Sequence, residues 1–214
     1  MSDEGGPGSG DRYAGFPAGF FDRADRDDAR FYGVARIVTH IDDAAIAEVG
    51  ALYTDLGLDE GEVLDLMSSW VSHFERRPRR LVALGMNAEE LAANEDAHER
   101  RVHDLNAEPR LPFPDASFDA VVCCVSVDYL VRPIEVFDEA ARVLRTGGPF
   151  VCTFSNRCFP TKAIRGWLGT DDGTHIGIVG EYFRRSVGWT GLEAEHRNAG
   201  RPGDPLYAVW ARRA

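Results

Sequence analysis

This chain has no apolar run near the roughly 20 residues that a membrane-spanning helix needs, so contact with a membrane is not expected. A basic excess is missing as well. The formal net charge is −11, which argues against sequence-independent binding to nucleic acid, where Lys and Arg must neutralise phosphates. The first residues, MSDEGGPGSGDRYAGF, lack a basic segment followed by an apolar one, so no secretory leader is expected. Cysteine is sparse: Cys123, Cys124, Cys152 and Cys158, none in a CxxC pair. Three of the four fall in apolar, strand-like segments. They read as buried free thiols in a reducing, cytoplasmic setting, not as metal ligands or a disulfide framework, and no metal is expected. Neither a GxxxxGK[ST] loop nor a GxGxxG fingerprint occurs, which removes the usual cradles for a polyphosphate or a dinucleotide.

The 214 residues, 44% of them hydrophobic, suffice for one domain with a sizeable core. Residues 1–28 are rich in Gly, Asp and Arg with few apolar anchors and are expected to form a disordered tail. Residues 29–214 are expected to form a single domain. Within it, Ile46, Val49, Leu52, Tyr53 and Leu56 recur at helical spacing, with Asp42 or Asp43 placed to cap that helix and Gly57 to end it. EVLDLM predicts a first strand, SSWVSHFERR a short helix or a turn, and RRLVALGM a second strand. NAEELAANEDAH predicts a helix capped by Asn87, with Glu90 at capping-box spacing. RRVHDLN is a short third strand, the proline-rich PRLPFPDAS a loop, and FDAVVCCVS a fourth strand that is apolar nearly throughout, as a strand covered on both faces should be. In IEVFDEAARVL, Ile134, Phe137, Ala140, Ala141 and Leu144 share one helix face. Gly147 and Gly148 end that helix before the fifth strand, PFVCTFS. TKAIRGWLG reads as a further helix, and WTGLEAEHR and PLYAVWARR as a terminal antiparallel β-hairpin. Strands alternating with helices and then a hairpin predict an α/β fold: a Rossmann-like, doubly wound seven-stranded sheet with helices on both faces.

Ligands of such sheets bind beyond the carboxyl ends of the strands. That rule selects residues 65–69, 85–87, 104–106, 126–129 and 155–157, which are mostly small and polar with a few acids. They suit a ligand bearing hydroxyls, an amino acid group and a base better than a polyphosphate. In residues 111–154, the run LPFPDASFDAVVCCVSVDYL, the helix after it and the Gly-Gly turn resemble the central part of class I S-adenosylmethionine-dependent methyltransferases, in particular the type 11 branch.

The resemblance implies S-adenosyl-L-methionine as cofactor and a candidate cofactor site of Asp65, Met67, Ser68, Ser69, Gly85, Met86, Asn87, Asp104, Leu105, Asn106 and Ser126. The family's first loop, D/E-x-G-x-G-x-G, is present here only as Asp65, with Met67, Ser69 and Val71 standing in place of the glycines. Glycine serves there because backbone can approach a ligand without a Cβ between them. Where the family has an acid for the ribose hydroxyls after the second strand, this chain has Gly85 with Asn87 close behind. Asn87 reads either as ribose ligand or as helix cap. Asp104 is implied to face the adenine, and Asp119 to be structural.

Methyl transfer from a sulfonium needs mainly positioning, and a base only where the acceptor must lose a proton. Asp128 and Tyr129, after the fourth strand, and His40 are the catalytic candidates. His73, His103, Asn156 and Arg157 are further polar groups near strand ends, and RFYGVARIVTHIDDAA resembles the lid of this fold, with Tyr32 and His40 on it. The function implied is methyl transfer to a small-molecule acceptor. The alternative is a methyltransferase-like binding or regulatory protein that has lost cofactor binding, which the missing glycines favour and the polar strand ends oppose. Neither the acceptor nor the oligomeric state is legible.

Overall fold

Period-two alternation of apolar residues divides the sheet into two buried faces. In the computed structural model, which describes residues 11–214, β1 (Glu62–Leu66), β2 (Arg80–Gly85), β3 (Glu99–Val102), β4 (Ala120–Cys124) and β5 (Pro149–Phe154) run parallel. β6 (Trp189–His196) and β7 (Tyr207–Arg213) pair antiparallel with each other, and β7 antiparallel with β5. The strand order is β3-β2-β1-β4-β5-β7-β6, with the reversal in winding at β1 and β4. This is the doubly wound seven-stranded sheet with a terminal hairpin that the alternation of elements predicts.

Leu64, Leu66, Val82, Leu84, Val121 and Cys123 meet α4 (Pro133–Val143) and α6 (Asp172–Arg185) on one face. Val63, Leu81, Val122 and Val151 meet α2 (Asp43–Asp55) on the other, and α3 (Ala88–Ala93) packs there through Leu91 against Ala83. From α4, Val136, Phe137, Ala140 and Val143 are completely buried, and each of the larger ones contributes about 1.5–3 kcal/mol of hydrophobic stabilisation. The side chain of Asp42 caps α2 by accepting from the Ala45 N–H, and Gly57 follows the helix end at φ 69, a left-handed geometry that glycine takes without cost. Among the described residues, no helix is long and apolar enough to cross a membrane.

Three expectations need correction, and a fourth element was not expected at all. The first concerns the tail: its first ten residues lie outside the described region, but residues 11–27 are packed on the core and lead into a short helix, α1 (Asp28–Tyr32). Phe16, Phe20 and Phe21 rest against the cluster that holds Tyr182, and the Phe20 ring occupies the space a side chain would need at Gly166. Three phenylalanines are too few to lift the composition of a polar segment, yet they fill one hollow. Second, α3 ends at Ala93, six positions after Asn87, because Asn94 turns back to bond the loop after β1. Third, of TKAIRGWLG only α5 (Arg165–Leu168) is helical. Fourth, α6 escapes a sequence reading because Gly173, Gly177 and Gly180 weaken its helical signal. Packing of Ile178, Val179, Tyr182 and Phe183 overrides that.

Between β1 and β2, residues 67–79 contain no helix, although parallel neighbours are usually joined by one. The local cause is visible. Met67 and His73 hold left-handed φ values of 55 and 57, and the Ser68 and Ser72 hydroxyls bond the Asp65 carboxylate instead of leaving the backbone to coil.

Candidate functional site

The cavity at the carboxyl ends of β1, β2 and β4 is closed above by residues 32–40 and by Phe159. All eleven residues of the expected cofactor site line it, from Asp65 at the end of β1 to Ser126 after β4. Tyr129 and His40 line it too, as do His73 and His103. Asp128, Asn156 and Arg157 do not. The space enclosed is about 120 Å³, below the 300–1,000 Å³ of pockets that hold drug-sized ligands.

The floor is strained. Met67, the residue in the first glycine position of the loop, adopts the left-handed backbone that glycine would have taken, and Val125 after β4 does so at φ 43 despite its branched Cβ. Such residues cost about 1–3 kcal/mol each and persist only where the surroundings hold them. The Val125 N–H donates to Thr153 O at 2.8 Å, and the Ser68 N–H to Leu84 O at 2.8 Å. The Ser68 carbonyl then sits where any Cβ on residue 85 would be, which is why a glycine ends β2.

Asp65 is buried and accepts the Ser68 and Ser72 hydroxyls at 2.6 Å each, and burial pushes its carboxyl up to about 6. Burial lowers His73 to about 4, with a smaller contribution from His40, and also lowers His40, so both imidazoles are neutral at pH 7. Asn87 is already committed: its side-chain oxygen accepts the Glu89 and Glu90 N–H groups at 2.9 and 3.0 Å, and its amide donates to Tyr32 O at 2.8 Å. Of its two readings, the cap is the one its bonds fulfil. Asp104 uses one oxygen to accept from the Asn106 and Ala107 N–H groups, and Asn106 is spent on Asp28, Tyr129 O and the Val131 N–H.

The expectation for Asp128 is corrected. Its side chain is 3% exposed and turned away from the cavity, one carboxyl oxygen has no partner, and burial raises it well above the ordinary carboxylate range. A group that follows a strand was expected to face the ligand, but the short helical turn at Val127–Tyr129 points it inward. The Tyr129 hydroxyl accepts the Phe159 N–H at 2.9 Å and so positions the roof. Asp119 is structural as expected, accepting from the Glu62 N–H and from Arg145 and Arg79.

Among the lining residues that sequence reasoning missed, three tie the cavity together. Glu90, 8% exposed, accepts the Arg36 N–H at 2.7 Å and the Ser69 hydroxyl at 2.8 Å. Trp70 donates its indole N–H to Val38 O at 3.0 Å. Phe159 carries Phe31 and His40 on its ring. Glu90 was legible as a capping-box residue, and its local spacing gave no sign that it would turn to the cavity. Behind the roof, fully buried Lys162 is 2.6 Å from Asp28, which also takes Arg23 at 2.9 Å.

A family model described as Methyltransferase domain matches residues 55–152, the stretch that supplies β1 to β4, the start of β5 and most of the cavity. The chain has the class I S-adenosylmethionine-dependent methyltransferase fold. Among curated relatives it is 26% identical over 126 residues to malonyl-[acyl-carrier protein] O-methyltransferase of Marinomonas sp. (strain MWYL1), covering 57% of this chain and 44% of that protein. It is 33% identical over 101 residues to 27-O-demethylrifamycin SV methyltransferase of Amycolatopsis mediterranei (strain S699), covering 44% and 35%. The matches thus span less than half the length of these relatives. The same methyltransferase fold is seen in geranyl diphosphate C-methyltransferase from Streptomyces coelicolor A3(2), solved with S-adenosyl-L-homocysteine, at a TM-score of 0.55, 14% identity, and coverage of 87% of this chain and 97% of that one. At that identity the likeness is one of fold.

Proposed function

We propose that this protein binds S-adenosyl-L-methionine and transfers its methyl group to a small-molecule acceptor. The observation that carries the reading is convergence: eleven residues chosen from four separate strand ends line one cavity, in a fold shared with methyltransferases. The residues fit such a cofactor. Buried carboxylates at Asp65 and Glu90 suit a ligand bearing positive charge and hydroxyls, and the bare edge of Gly85 lets the first loop press close to β2. Asp65 is the candidate for the amino acid end, and Asp104, with one oxygen uncommitted, for the adenine.

When bound, the cofactor supplies a methyl group on a positively charged sulfur. The chain's part is to hold the acceptor in line, keep water out and take up a proton where the acceptor has one to lose. His40, neutral and at the cavity rim, is the group proposed to accept the proton of an acceptor hydroxyl. An oxygen acceptor is supported by the names of the two curated relatives, and a small molecule is favoured over nucleic acid by the net charge of −11.

The test is a thermal shift with S-adenosyl-L-homocysteine. At 100 times the dissociation constant it should stabilise the protein by about 2.7 kcal/mol, seen as a rise in melting temperature. No shift at millimolar ligand would instead support the binding or regulatory reading, in which the strapped, glycine-free loop fills the place of the cofactor. With binding established, His40→Ala is expected to lower kcat about 100-fold with little change in the affinity for S-adenosyl-L-homocysteine.

A further inference from the structure

Beyond the residues proposed for the cofactor, the cavity wall carries Tyr32, Val38, Trp70, Val125, Tyr129 and Phe159. Phe159 is the hub of this apolar part. Its ring centroid lies 6.0 Å from that of Tyr129 and 5.2 Å from that of Phe31. His40 meets the same ring edge-on, at 5.1 Å and an interplanar angle of 75°. The imidazole proposed to take the proton is thus in contact with an aromatic surface. An oxygen carried directly on a flat ring can reach His40 while that ring rests on the apolar wall.

The wall has no cation to offer an anionic acceptor. Among the described residues that line it, Arg36 is the one Lys or Arg, and its guanidinium is spent. It donates to Val34 O at 3.0 Å and Phe31 O at 2.9 Å, and lies 4.3 Å from the Phe31 ring. His40 and His73 are neutral at pH 7. Asp65, Glu90 and Asp104 line the same cavity, so a carboxylate or phosphate acceptor would lose water beside groups of its own sign. The acceptor is therefore neutral, and its hydroxyl must give up a proton.

The strength of the base decides which hydroxyl that is. Burial makes His40 weaker than an ordinary imidazole, whose value is about 6.5. A phenol, at about 10, lies roughly 4 pH units above that value, whereas an alkyl hydroxyl, near the value of water at about 16, lies roughly 9 above it. Each unit is about a factor of ten in the extent of proton transfer, so His40 is matched to the first and not to the second. We infer that the methyl acceptor is a neutral hydroxyl on an aromatic ring, a phenol, and that Phe159 is the residue that selects it. The inference deepens the function proposed above and rests on that reading. The phenol oxygen bonds the methyl carbon as the carbon–sulfur bond breaks, its electron pair staying on sulfur, and the phenol proton passes to the His40 imidazole.

The experiment begins with calorimetric titration of the full chain with S-adenosyl-L-homocysteine. Turnover of S-adenosyl-L-methionine is then measured with 2-naphthol, 2-naphthylmethanol and 2-naphthoate, which share one ring system and differ in the group offered. The kcat/KM for 2-naphthol is expected to exceed the other two by about 100-fold or more. Phe159→Leu keeps the backbone N–H that bonds the Tyr129 hydroxyl, and is expected to raise KM for 2-naphthol about tenfold with unchanged affinity for S-adenosyl-L-homocysteine. If the naphthoate or the naphthylmethanol is methylated as well as 2-naphthol, the inference is overturned and the cofactor reading stands. The same holds if S-adenosyl-L-homocysteine binds and none of the three is methylated. If S-adenosyl-L-homocysteine does not bind, the cofactor reading itself falls and takes the inference with it. An unchanged KM in Phe159→Leu overturns the role of Phe159. Should that variant fail to fold, a crystal structure of the wild type with S-adenosyl-L-homocysteine and 2-naphthol decides that role: the naphthol ring packed on Phe159 supports it, and a naphthol seated elsewhere overturns it.

Discussion

Asp65 carries the charge chemistry of the first strand's end, and its effect on stability has a definite sign. Burial lifts its carboxyl to about 6 in the folded protein from an ordinary value of 3.8, so the native state holds that proton more tightly than the unfolded chain does. Its contribution is therefore most favourable below about pH 4 and is lost as pH rises through 6, by about 3 kcal/mol for a shift of this size. Asp65→Asn removes the titration. Its stability relative to the wild type is expected to climb between pH 4 and 7, measured by urea denaturation, while its affinity for S-adenosyl-L-homocysteine falls. Curves that stay parallel across that range would refute the account. Gly85 makes a second residue-scale case. Gly85→Ala places a methyl group on the Ser68 carbonyl, and the overpacking is expected to cost about 1–3 kcal/mol and to displace the loop from the cavity. Both residues were singled out in the sequence by their position after a strand. What made them important, the two serine hydroxyls on one and the carbonyl against the other, required the folded loop.

At the scale of elements, the irregular connection between β1 and β2 is held by side chains where a helix would have been held by its own backbone. Ser68, Ser72 and Asn94 fasten it from inside, and Glu90 and Trp70 join it to the roof. The roof in turn hangs on Asp28, which is clasped by Lys162 and Arg23 in a region with almost no solvent. Breaking one partner of such a buried cluster leaves charge uncompensated. Lys162→Met is expected to cost about 3–5 kcal/mol, and appreciably less in an Asp28→Asn background, which a double-mutant cycle measured by denaturation would show. Equal losses in the two backgrounds would mean that Lys162 acts through packing alone. The partners Lys162 and Asp28, Asn94 and Ser72, and Trp70 and Val38 are far apart in sequence, so no window of local pattern could have paired them.

For the whole molecule, the packed N-terminal segment changes what counts as the domain. Phe16, Phe20 and Phe21 lie on the face formed by α5 and α6, and the chain then passes directly into the roof. Deleting residues 1–27 is expected to lower the melting temperature and to speed tryptic cleavage at Arg36 about tenfold, because the roof loses its anchor at one end. Unchanged cleavage would show that the roof is held only from the cavity side.

The sequence by itself determined the sheet and its polarity, since runs such as FDAVVCCVS must be buried on both faces, and it placed Gly147 and Gly148 in the turn before β5, although α4 itself ends earlier, at Val143. With that came the places where a ligand can sit, because open parallel sheets leave their carboxyl ends free. Tertiary structure alone decided which polar groups line the cavity. It turned Asp128 inward, spent Asn87 on a cap and brought Glu90 round to the cavity. The reason is physical. A strand's apolar pattern is a local demand that any fold must satisfy, whereas the direction of a carboxylate is set by whichever donors arrive from distant parts of the chain.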